Sequence, residues 1–113
     1  MIPQVRPSQL AAWIEAVSAQ GQAVVLDVRE ANELATASVT PAGFVLVTIP
    51  MGSIPARLAE LDPAQAIACL CHHGARSQNV ANFLAGRGFS QVVNIAGGIN
   101  AWSLELDPNV PRY

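Results

Sequence analysis

Three short apolar runs constrain this chain more than any other feature: Ala23-Val24-Val25-Leu26-Asp27-Val28, Ala66-Ile67-Ala68-Cys69-Leu70 and Val92-Val93-Asn94-Ile95. The first is rich in β-branched residues and has no polar alternation. A strand with one wet face alternates, so such a run reads as a strand covered on both faces, as in a parallel sheet. Helical patterns separate the runs. Leu10, Trp13, Ile14 and Val17 form one apolar stripe, with Pro7 suited to a first turn and Gly21 to a stop. Glu30 to Leu34 can make one helical turn, and Phe44 to Ile49 a short strand. Ser53 to Leu61 looks helical, with Ile54, Leu58 and Leu61 on one side and Asp62-Pro63 at its end. A further helix carries Val80, Phe83 and Leu84, with its exit at Gly86 and Gly88. Gly97-Gly98 is a turn, Ile99 to Trp102 begins a last short helix, and Asp107 to Tyr113 reads as irregular but docked. Trp13 and Trp102 read as packing residues. The alternation predicts an α/β domain with a largely parallel sheet, residues 1–113 forming one domain.

Composition agrees with a packed core. Of 113 residues, 51% are hydrophobic and 12% charged, far from the make-up of disordered chains. Six basic residues, all Arg, face eight acidic ones, for a net charge of -2. No basic surplus exists to neutralise a phosphate backbone, so nucleic acid is not an expected partner. The apolar runs are too short to span a bilayer. The first twenty residues contain Pro3, Pro7 and Glu15 and lack a basic start followed by an apolar stretch. No signal peptide is therefore expected. Cys69 and Cys71, one residue apart, cannot staple the fold without strain. Together these features point to a reducing, cytoplasmic setting.

Chemistry concentrates at Cys71-His72-His73-Gly74-Ala75-Arg76-Ser77. Cys71 closes a strand and opens a loop into a helix, and ligand sites in open α/β sheets lie at the carboxyl ends of strands. A helix N-terminus adds unpaired N–H groups and partial positive charge, which favour an anion and hence a thiolate. Arg76 brings a cation able to bind an anionic substrate. Gly74 lets the backbone turn its N–H groups inward. Free cysteines are often simply buried. Here position, glycine and arginine combine into a nucleophile within an anion cradle.

This loop resembles the active-site loop of rhodanese-like sulfurtransferases, which reads Cys, four residues, Arg. Leu26-Asp27-Val28-Arg29-Glu30 is similar to the family's first-strand signature. Gly86-Arg87-Gly88-Phe89 with Val92 to Ile95 is similar to its penultimate segment, and Gly97-Gly98-Ile99-Asn100-Ala101-Trp102 to its closing motif. The ending, Asp107 to Tyr113, is similar to the tail of many single-domain members. The resemblance implies a doubly wound fold around a parallel sheet of about five strands flanked by helices. It also implies that Cys71 takes the outer sulfur of thiosulfate, a persulfide or a polysulfide, and passes it to cyanide or a thiol. No metal or organic cofactor is implied. Related phosphatases use a loop one residue longer, so the short spacing from Cys71 to Arg76 points to sulfur. Ser38-Val39-Thr40-Pro41-Ala42-Gly43 lacks a histidine that the family usually carries there, a change that bears on substrate preference.

The resemblance sets Asp27 and Arg29 near the loop, with Asp27 holding Arg29 or Arg76, or forming an ion pair outside turnover. His72 and His73 either bond substrate or leave that work to their amides while the rings face solvent. With Gly74 and Ala75 they make the candidate substrate-binding loop. Ser77 either joins the cradle or caps the helix, capping being the simpler expectation. Cys69 reads as an apolar filler, with resolution of an oxidised Cys71 as the alternative. A second functional class is a sulfur carrier or protein-binding module fed by a partner enzyme, with a protein as acceptor. A metal site of Cys69, Cys71, His72 and His73 fails on spacing, because structural zinc ligand pairs lie much farther apart.

Overall fold

The computed structural model describes Ile2 to Tyr113. Five strands, β1 (Gln4–Val5), β2 (Val24–Asp27), β3 (Val45–Thr48), β4 (Ile67–Leu70) and β5 (Val92–Ile95), form one sheet in the order β1-β5-β4-β2-β3. Every neighbouring pair is parallel. The three apolar runs are the three inner strands, each buried at every residue. Successive side chains go to opposite faces. Val25, Ala68 and Leu70 join a core with Leu10 of α1 (Leu10–Ala16) and Trp102 of α4 (Gly98–Glu105). Leu26, Ile67 and Cys69 join a second core with Val80 and Leu84 of α3 (Ala75–Ala85). The sheet is thus covered on both faces, which is why its central strands show no polar alternation; Asp27 and Asn94 are buried exceptions.

The connections explain where a site can form. From β2 the chain crosses through α2 (Ala31–Thr36) to β3, returns past β2 to β4, and continues through α3 to β5 on the other side. The winding reverses between β2 and β4. A crevice opens at such a switch point, outside the carboxyl ends of the strands. Asp27 ends one of these strands with Arg29 two residues beyond it, and Cys71 follows the other.

Two expectations change. Ser53 to Leu61 is not an α-helix; Met51–Ser53 and Leu58–Glu60 are single 3-10 turns. One α-type bond forms between them, from Arg57 N–H to Ser53 O at 3.0 Å. A stretch this short, with Gly52 and Pro55 at its head, offers few helical bonds to offset the cost of nucleation. Ile54 nevertheless stays buried. The second change is β1, whose two residues pair with Asn94 and Ile95 and are too few to show periodicity. The tail is docked as expected: Val110 is buried, and Ser103 Oγ donates to its carbonyl at 2.6 Å. No described helix is long and apolar enough to cross a membrane.

Candidate active site

Cys71 is 1% exposed and stands between the end of β4 and the start of α3. Its Sγ accepts the Gly74 N–H at 3.1 Å and lies 3.3 Å from Ser77 Oγ. Gly74 has φ of +111° and occupies the N-cap of α3. A side chain there would be strained, so glycine is what turns this amide toward sulfur. The loop carbonyls are occupied elsewhere. Ile99 N–H donates to Cys71 O at 2.9 Å, and Asn100 N–H donates to His72 O at 3.2 Å. Gly98 makes that approach possible, since a Cβ on it would collide with both carbonyls. The first turn of α4 thus holds one side of the loop while the sulfur faces the other.

Ser77 is not the cap that the sequence favoured. Gly74 takes that position, and Ser77 lies inside the first turn of α3, fully buried. Its Oγ is 2.5 Å from Asn94 Oδ1, 3.2 Å from Gly74 O and 3.3 Å from Cys71 Sγ. One hydroxyl hydrogen faces three acceptors. Asn94 is oriented by its Nδ2, which donates to Gln4 Oε1 at 2.9 Å and to Gly74 O at 3.2 Å. The hydroxyl can therefore serve Asn94 while sulfur keeps its proton, and turn to sulfur when it bears charge. Strand alternation accounts for Asn94: Val93 and Ile95 face the opposite core.

A chain of charges runs along the carboxyl edge. Arg29 Nε and Nη2 donate to the two Asp27 oxygens at 2.9 and 2.7 Å, and both residues are fully buried. Removing one partner of such a pair typically costs about 3–5 kcal/mol. Asp27 thus holds Arg29 and not Arg76. Arg76 Nη1 and Nη2 instead donate to Glu33 Oε1 and Oε2 at 2.6 and 2.8 Å. Tyr113 links the pairs: its hydroxyl accepts from Arg29 Nη1 at 3.1 Å and donates to Glu33 Oε2 at 2.8 Å. The bonds from Arg76 lead the causes that pull the Glu33 carboxyl from 4.5 down to about 2. The same pairing raises Arg76 further above its ordinary range.

The histidines follow neither expected arrangement fully. The His72 ring is stacked between His73 and Tyr113, with centroids 3.9 Å from each. Its Nε2 is buried without a hydrogen-bond partner among the described residues, and burial, then His73, lowers its pKa. His73 and Ala75 are exposed. Cys69 is fully buried, and burial with the nearby Cys71 pushes its thiol up to about 12. It stays protonated, as an apolar filler would. Among the described residues, no three His, Cys, Asp or Glu side chains gather as a metal-ligand set.

Sequence reasoning missed Glu33, Asn94 and Tyr113. Glu33 also accepts the Glu30 N–H at 3.1 Å, so from sequence it reads only as the acid of a helix-capping box. Asn94 reads as one polar residue in a strand, and nothing local marks Tyr113.

The parallel sheet with helices on both faces, and a cysteine loop capped by α3 at the switch point, define a class of α/β domain with a buried thiol site. The rhodanese-like domain family model matches residues 7–105. The chain belongs to that family. It is 34% identical over 105 residues to a Bacillus subtilis protein named "Putative sulfurtransferase YtwF", covering 93% of this chain and 97% of that one. It is 42% identical over 93 residues to the Arabidopsis thaliana "Rhodanese-like/PpiC domain-containing protein 12, chloroplastic". That match covers 81% of this chain and only 31% of the Arabidopsis protein. The crystal structure of a rhodanese-related protein from Thermoplasma volcanium superimposes with a TM-score of 0.76 at 29% identity, covering 98% of this chain and 99% of that one.

Proposed function

We propose that this chain is a sulfurtransferase that carries sulfane sulfur as a persulfide on Cys71. The observation that supports it best is the sulfur itself, facing the Gly74 N–H and the Ser77 hydroxyl at the carboxyl end of β4. The Cys71 thiolate attacks the outer sulfur of R–S–SH, the donor's S–S bond breaks, and the bonding pair leaves with RS⁻. With thiosulfate the leaving group is sulfite. A thiol or cyanide then attacks the outer sulfur of the persulfide and returns the Cys71 thiolate. Donors aimed at Sγ favour negative charge on the thiolate and on the persulfide that replaces it. No net oxidant or reductant is consumed. Residues 1–113 act as one domain in this reading, and the loop His72 to Ser77 binds the donor. The sulfurtransferase name of the Bacillus relative agrees with it.

One observation favours a second reading. Cys71 is 1% exposed, so sulfur transfer needs the loop to give way, and a partner protein bound against the loop would supply that opening, which a free small donor does not. That module would carry sulfur between proteins with little turnover on small molecules. Steady-state transfer from glutathione persulfide or thiosulfate to cyanide separates the two. Multiple turnovers abolished by Cys71→Ser support the enzyme. A single turnover, restored to cycling only by added partner protein, supports the carrier.

A further inference from the structure

The proposed persulfide chemistry does not use Glu33, yet Glu33 joins three other residues, whereas Asp27 at the same edge is bound by Arg29 alone. It receives both terminal nitrogens of Arg76, the Tyr113 hydroxyl and the Glu30 amide. Its side chain is 15% exposed, against 32% for Arg76. Arg29, a second cation at this edge, is engaged by both oxygens of Asp27. Arg29 and Arg76 are therefore each matched by a carboxylate. A small dianion drawn to the Cys71 loop meets the Gly74 N–H but finds neither of these two guanidiniums uncompensated, and Glu33 adds negative charge beside Arg76.

Resting on the Cys71 persulfide reading, we propose that Glu33, fixed by Tyr113, sets donor specificity. It withholds Arg76 from dianionic donors such as thiosulfate and leaves the site to persulfides, R–S–SH. The bond changes are the same for both donors. They differ in the charge brought to the rim and in the leaving group, sulfite or a thiolate. Glu33 is a positioning residue here, acting through Arg76. Because its carboxyl sits at about 2, the clamp stays charged throughout the range in which the thiol chemistry runs.

Formation of the Cys71 persulfide would be followed under single-turnover conditions with thiosulfate and with cysteine persulfide. The wild-type chain should favour cysteine persulfide. Glu33→Gln keeps an acceptor for Arg76 but removes the charge, and should raise the second-order rate of loading from thiosulfate about tenfold, chiefly by lowering the half-saturating thiosulfate concentration. The gain should fade at high salt. The ratio between donors should move, while Glu33→Asp restores it toward wild type. Tyr113→Phe keeps the ring on His72 and loses the hydroxyl, so it should shift the ratio the same way by about threefold. It also reads the effect should Glu33→Gln fold poorly. A persulfide that forms on Cys71 with a donor ratio unmoved by both variants overturns this proposal alone. No persulfide from either donor overturns the Cys71 reading and this proposal with it.

Discussion

At the scale of single residues, Glu33 couples stability to the site. The folded chain binds its charged form better than the unfolded chain does, because Arg76 and Tyr113 donate to it. The resulting stabilisation is complete above about pH 4.5 and is lost as pH falls through about 2. For a carboxylate that is mostly shielded, it amounts to something on the order of 2–3 kcal/mol at neutral pH. Urea midpoints of the wild type and Glu33→Gln should differ at pH 7 and converge as pH is lowered from 4.5 toward 2. A gap that does not change with pH would contradict the pairing. Ser77 and Asn94 act at the same scale but locally: a 2.5 Å contact between them parks a hydroxyl within reach of sulfur. Cys69, two residues earlier and in the same core, is fully buried.

Among the elements, the first turn of α4 shapes the loop as firmly as α3 does. It takes two loop carbonyls, and Gly98, at φ of +60°, lies against both. Gly98→Ala combines strained backbone with a collision, at a cost on the order of 2–4 kcal/mol. The melting temperature should fall by about 10 °C or more, and loading of Cys71 with sulfur should slow. Gly88 offers the contrast: its φ is +89°, but a Cβ there meets nothing within 4 Å. Gly88→Ala should cost about 1 kcal/mol and leave loading unchanged. Equal losses in the two variants would mean that the close approach of α4 to the loop does not matter. The inner strands were legible because two-sided burial writes itself as an unbroken apolar run. β1 has two residues and edge strand β3 is half exposed, so neither leaves that pattern. The 3-10 turns around Pro55 mimic helical spacing without sustaining it.

For the whole molecule, the winding order brings distant segments to one edge. Cys71, Gly74 and Arg76 were readable because they share one loop. The partners of that loop were not: Glu33 lies 43 positions from Arg76, and Tyr113 lies 80 from Glu33. Only the reversal between β2 and β4 makes them neighbours. The central claim remains chemical, that sulfur is held on Cys71. The most direct test is the intact mass of the reduced protein before and after exposure to thiosulfate and to glutathione persulfide, with Cys71→Ser and Cys69→Ser alongside. The account predicts one added sulfur atom, removable by cyanide, retained in Cys69→Ser and absent in Cys71→Ser. Sulfur retained in Cys71→Ser, or none gained by the wild type from either donor, would contradict it.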